Sequence, residues 1–168
     1  MDVSPPADQT TTALTALLTV AALAACGGTT PTGIPADATL LDHGQLETLV
    51  STDDSDYHEP QRRVIRSPAA WAEAWRQLGR DREAPDVDFG DHMVILAASG
   101  TRHSGGHGIA VDSVYRHGGS LFATVREVSP GDSCVVTTAL THPATAVRVP
   151  RVEGSVEFVE QEIVAECD

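Results

Sequence analysis

Only one stretch of this chain reads as a strong helix. Ser67 can cap it, Pro68 suits its first turn and Gly79 its left-handed end, while Trp71, Trp75 and Leu78 fall on one face. That spacing is the mark of a buried helix face more than of a ligand-stacking platform. Extended segments rich in β-branched residues surround it, at 46–51, 63–66, 93–99, 109–115, 121–128, 134–140, 145–149 and 155–165, separated by Gly, Pro and Asp turns. Parallel strands need long crossovers, usually helical, so a single helix predicts antiparallel pairing. Gly118 and Gly119 join two of the segments and suit a hairpin turn with positive φ. The expected fold is α+β, mainly an antiparallel β sheet or roll with one packed α-helix.

A length of 168 residues allows one ordinary globular domain. No apolar run reaches the roughly 20 residues of a membrane-spanning helix, which excludes a multi-span membrane protein. All eleven basic residues are arginines, and 24 acidic residues bring the net charge to -13. Such a surface repels phosphate backbones. The nearest approach to a basic patch, Arg62 and Arg63 with Arg66, is too small to offset that field, so no nucleic-acid partner is expected. The acidity is read as solubility.

Residues 13–25 form an uncharged run of small and aliphatic residues that would span only about 20 Å as a helix. Leu23, Ala24, Ala25, Cys26 and Gly27 close it and resemble the lipobox of bacterial lipoproteins. That resemblance implies a signal peptide over 1–25 and a lipidated Cys26 as the first mature residue. It also implies a lipid-anchored, extracytoplasmic place in the bacterial cell envelope. One departure is the segment before the run, which carries Asp2 and Asp8 and no positive charge. Residues 26–45 then read as the lipidated cysteine and a flexible Gly, Thr and Pro tether, able to hold a domain roughly 25 Å from its anchor. The folded domain is expected over 46–168.

With Cys26 assigned to lipid, Cys134 and Cys167 remain, an even number in an exported chain, and a disulfide is the default reading. Two free thiols are the main alternative; a metal pair lacks any CxxC support.

Seven histidines invite a metal hypothesis. His103 and His107 lie four apart, but Gly105, Gly106 and Gly108 disfavour the helix that would align them, and no HExxH-like frame exists. The segment reads as a turn between strands, without metal or cofactor. A triad can be written from Ser104 or Ser133 with His142 and an aspartate, yet no nucleophile elbow accompanies it. No catalytic residue is assigned. Asp53 with Asp54, and Asp86 with Asp88, read as solvent-facing turn residues.

Trp71, Trp75 and Leu78, the run 85–89, the apolar run 93–96, Gly100 with Gly105 and Gly106, then Pro130, Gly131 and Cys134, and finally Thr137, Thr141, Pro143, Val147, Val149 and Pro150 form an ordered series of short motifs. In this order they resemble the family of PrcB-like protease complex subunits over some 80 residues. His107 and Ala144 stand where that family often has aromatics, and Thr138 where glutamine is frequent. The resemblance implies a small exported protein or lipoprotein that accompanies a surface subtilisin-like serine protease. The expected function is that of a membrane-anchored, non-catalytic domain that binds and stabilises an exported protein partner, a protease by resemblance. The alternatives are a protease inhibitor, presenting a rigid loop near Pro130 and Gly131 or near Gly105 and Gly106, and a cell-surface metal-dependent hydrolase using His103, His107 or His142. No partner-binding residue is assigned.

Overall fold

The computed structural model describes Met1 and residues 33–42, 44–79 and 83–167. The expectations for the signal peptide and for Cys26 lie outside the described residues, and Gly33–Asp168 forms a unit of its own. Its elements are β1 (Thr39–Leu40), β2 (Glu47–Thr52), β3 (Pro60–Ile65), α1 (Pro68–Gln77), β4 (His92–Ser99), β5 (Gly108–His117), β6 (Ser120–Pro130), β7 (Ala144–Pro150) and β8 (Val156–Ala165). They make two four-stranded sheets, ordered β1-β5-β6-β8 and β2-β7-β4-β3.

Strand β4 shows why two sheets and a helix are stacked. Residues 93–98 are apolar without interruption, and successive side chains of a strand point to opposite faces. Val94, Leu96 and Ala98 enter one core with Ile65, Trp71, Trp75 and Leu78. Met93, Ile95 and Ala97 enter a second core with Val114, Leu121, Ala123 and Val125 of the other sheet. The β2-β7-β4-β3 sheet is therefore a middle layer, covered by α1 on one face and by the second sheet on the other.

The helix follows its sequence signals. The Ser67 hydroxyl accepts the Ala70 N–H at 3.3 Å, Pro68 occupies the first turn, and Gly79 takes a φ of 67°. Trp71, Trp75 and Leu78 are buried. The hairpin between β5 and β6 also forms as its glycines suggest, with Gly118 and Gly119 both at positive φ between His117 and Ser120.

Three features depart from the sequence reading. First, the β6 to β8 pairing is parallel, running from Leu121 opposite Val156 to Pro130 opposite Ala165, although every other ladder is antiparallel. A parallel pair requires a long crossover, and here residues 131–155 supply it by passing through β7 in the other sheet, with no helix. Second, residues 134–140 form no strand. Their β-branched composition signals β structure because such side chains suit a pleated, half-buried surface, but no strand lies beside them and most of them face water. Third, pairing begins before Leu46, since Thr39 and Leu40 lie opposite Arg116 and Tyr115 of β5.

A charged cluster ties the sheets together. Arg62 of β3 donates from Nε and Nη2 to both oxygens of Glu160 on β8, at 2.9 and 2.7 Å, and from Nη2 to Glu127 of β6 at 2.7 Å. Its Nη1 serves the carbonyls of Gln61 and Ala98, both at 2.8 Å. Arg102, in the β4 to β5 connection, reaches the other Glu127 oxygen at 2.5 Å. Arg62 is thus no part of a free basic patch.

Burial acts to raise the Glu127 pKa, but the hydrogen bonds from Arg62 and Arg102 together outweigh it and hold the carboxyl below the ordinary 4.5. A carboxylate so depressed stabilises the fold fully above its unfolded pKa, and that contribution is lost as pH falls through the folded value. Glu127→Gln should lower the unfolding free energy by about 1–3 kcal/mol at neutral pH. The deficit should shrink as the solution is taken below about pH 4.5, which urea titrations at several pH values would check.

Cys134 and Cys167 are joined by a disulfide. The chain-entropy estimate for a loop of this size is about 4 kcal/mol. The paired Cys134→Ser, Cys167→Ser variant should lose stability of that order in urea denaturation, and non-reducing peptide mapping of the parent should give one linked pair.

Candidate interaction surface

The segment 131–143 leaves the end of β6 and is fastened along its length. The Gly131 N–H donates to the Ala165 carbonyl at 2.8 Å, the Cys134 N–H to Gly131 at 3.0 Å, and the Ser133 hydroxyl to the Cys167 carbonyl at 3.0 Å. Further on, the Gly105 N–H donates to the Thr137 carbonyl at 3.0 Å. Arg102 and Thr141 exchange two backbone bonds of 2.8 and 2.9 Å, and the Thr141 hydroxyl donates to Ser104 at 3.0 Å. With the disulfide, these contacts hold a loop that has no regular structure.

Its apolar side chains nevertheless face outward. Val135 is 102% exposed and Leu140 63%, with Val136 at 37%; Ile163 and Val164, near the end of β8, are exposed at 44% and 61%. Single exposed apolar residues are ordinary on a protein surface. Five lie on two segments joined by one disulfide, three of them, Val135, Val136 and Leu140, on the 131–143 loop itself. The edge strand β8 carries exposed Glu157, Glu160 and Glu162, charges that discourage further strand pairing. The loop, by contrast, turns uncharged apolar groups to water.

The Gly105 and Gly106 turn packs under this loop. A Cβ on Gly105 would fall 2.4 Å from Thr137 Oγ1, and one on Gly106, whose φ is 84°, would fall 3.2 Å from Val136 Cγ1. These glycines are needed for close approach and, at Gly106, for a left-handed backbone. Gly105→Ala should cost about 1–3 kcal/mol. Adding Thr137→Ala removes the clashing oxygen and should recover much of that loss, while Gly108→Ala, which meets nothing within 4 Å, should be nearly neutral. Thermal denaturation of the four proteins tests the set.

The residues considered for chemistry are dispersed. The Ser133 hydroxyl is directed at Cys167, and His142 Nε2 meets His58 Nδ1 at 3.0 Å, so the serine and histidine are not directed at each other. Ser104 contributes its backbone carbonyl to Thr141. His103 is exposed. His107 borders a shallow cavity of 320 Å³ with Asp53 and Pro143, and its Nδ1 is buried without a hydrogen-bond partner. Burial first, and then the Arg102 charge, lower the His107 pKa and favour the neutral ring. Among the described residues no three His, Cys, Asp or Glu side chains are grouped to hold a metal ion.

Sequence reasoning missed Val135, Val136 and Leu140 as surface groups because it placed them in a strand. The available signal was a β-branched run beginning at a cysteine and bounded by Gly131 and Pro143, which also describes a pinned loop. His58 gave no signal, being 84 positions from its ring partner.

Residues 93–150 match the family model described as PrcB C-terminal. A PrcB-like C-terminal domain occupies this span. It runs from β4 through β7, so the PrcB-like region contains the doubly buried strand, the glycine turn and the whole of the 131–143 loop. The helix α1 and the strand β8 fall outside it. No curated protein and no solved structure matches the chain.

Proposed function

We propose that this protein is a membrane-anchored, non-catalytic accessory domain that binds and stabilises an exported protein partner, a protease complex by family. The exposed Val135, Val136 and Leu140 on a covalently held loop carry the reading, because an apolar surface that is already ordered binds without a large further entropy cost. The PrcB C-terminal match supplies the class of partner. Such a domain acts by mass action, adding about 2.7 kcal/mol to its partner at a hundredfold excess over Kd. A lipid on Cys26 would place it in the cell envelope and raise its local concentration at the membrane.

A second reading, protease inhibition, is favoured by the same loop's being held at both ends with Val135 projecting fully. Titrating the purified protein into the partner protease separates the two, since an inhibitor abolishes turnover and an accessory subunit leaves it intact or increases it.

Val135→Asp with Leu140→Asp should leave the denaturation midpoint within about 0.5 kcal/mol of the parent, as expected for exposed sites. It should lose the partner that crosslinking in intact cells otherwise captures. Cys26→Ala should release the protein from membranes. Retained crosslinking in the loop variant, or substrate turnover by the purified protein alone, would overturn the proposal.

A further inference from the structure

A cavity of 320 Å³ opens where the β5 to β6 hairpin turn meets the connection from β7 to β8. Arg116 and Arg151 line it together with Leu121 and Val152, and Glu153 is the one acidic side chain on its wall. Its size is at the lower end of small-molecule sites, which run from roughly 300 to 1,000 Å³.

The two arginines bring donors that the protein itself does not use. Arg151 is held from behind, its Nη1 donating to the carbonyls of Phe89 at 2.9 Å and Arg66 at 3.4 Å, while its Nε donates to Glu153 Oε1 at 2.8 Å. Its Nη2 is left without a partner among the described residues. Arg116 is exposed and makes no ion pair or side-chain hydrogen bond with any described residue, although the chain carries 24 acidic residues. Arg66 adds a third positive charge beside the cavity, and its Nη2 fixes the neighbouring turn by donating to the Gly154 carbonyl at 3.1 Å. Exposed charges farther apart than roughly 8–10 Å are largely screened at physiological ionic strength, so these cations outweigh the net charge of -13 at this place. Glu153 registers their field: the hydrogen bond from Arg151, then the Arg151 charge and lastly that of Arg66, hold its carboxyl below the ordinary 4.5.

Glu153 also shows what the arginines accept. Its side chain is 85% exposed and one of its oxygens meets Arg151 through Nε alone. So exposed a pair adds little stability, and a ligand that engages both guanidinium groups displaces it at little cost. A planar carboxylate matches the fork of a guanidinium, and its single negative charge is repelled less by an acidic surface than that of a phosphate or sulfate dianion.

We propose that Arg116 and Arg151 form a binding site for a carboxylate ligand, whose oxygens take the free donors of both groups, whose carbon stem lies against Val152, and whose internal competitor is Glu153. The site rests on this cavity and stands whether or not the 131–143 loop docks a protein.

The probes are sodium acetate, sodium sulfate and acetyl-trialanine as free acid and as terminal amide, each titrated into the 15N-labelled full chain. Acetate and the free-acid peptide should shift the side-chain Nε resonances of Arg116 and Arg151 beyond the effect of sodium chloride at equal ionic strength, and the amide should not. These resonances are read in the parent protein, so the test does not hinge on a variant's folding. Arg116→Gln should weaken acetate binding about tenfold. Glu153→Gln should tighten it by removing the competitor, and Arg126→Gln, whose arginine is already paired with Asp112, should leave it unchanged. A free-acid peptide that binds more tightly than acetate identifies a chain terminus as the source of the carboxylate, and equal affinity identifies a small organic acid. Unmoved resonances, equal binding of the amide, tighter binding of sulfate, or affinity indifferent to Arg116→Gln would overturn the site.

Discussion

The need to bury both faces of β4 governs the arrangement of everything else. A strand that alternates Met93, Ile95 and Ala97 with Val94, Leu96 and Ala98 has no face to offer to water, so its sheet must be covered twice. The tryptophan face of α1 covers one side and the β1-β5-β6-β8 sheet the other. Removing either cover would expose a strand whose side chains are wholly apolar.

Packing against β4 leaves open how the two sheets are aligned, and polar contacts narrow that choice. The Arg62 guanidinium uses every nitrogen, on β3, β4, β6 and β8, and Glu127 is shared with Arg102 at the foot of the loop cluster. One arginine thereby relates the edges of both sheets, while its partner's second oxygen connects that junction to the segment paired with Thr141. Apolar attraction is non-directional, whereas a forked group with fixed donors accepts few alignments.

Much of the scaffold was legible because its signals are local. Ser67, Pro68 and Gly79 mark a helix within a dozen residues, Trp71 and Trp75 disclose its buried side, and two adjacent glycines mark the hairpin. The loop at 134–140 was misread because the composition of Val135 to Thr138 reports what those residues would suit, and only tertiary structure decides whether a neighbouring strand exists. The parallel placement of β8 was hidden for a related reason, since the rule linking parallel strands to helices holds only when the crossover stays on one sheet. The convergence of Arg62, Glu127 and Glu160, or of His58 and His142, joins residues tens of positions apart and leaves no periodic trace. The cysteine pair was the exception, because counting alone narrowed it.

The parallel ladder also bears on the order in which the chain becomes available. Synthesis delivers β8 after all the other strands of its sheet, so until residues 156–165 appear the outer edge of β6 presents ten consecutive positions with no mate. A chain that stops before residue 156 is in that condition, with an open template for a strand from another molecule. Strand β8 is thus a closing piece, and a chain that lacks it would be marked as incomplete by the stickiness of its own sheet.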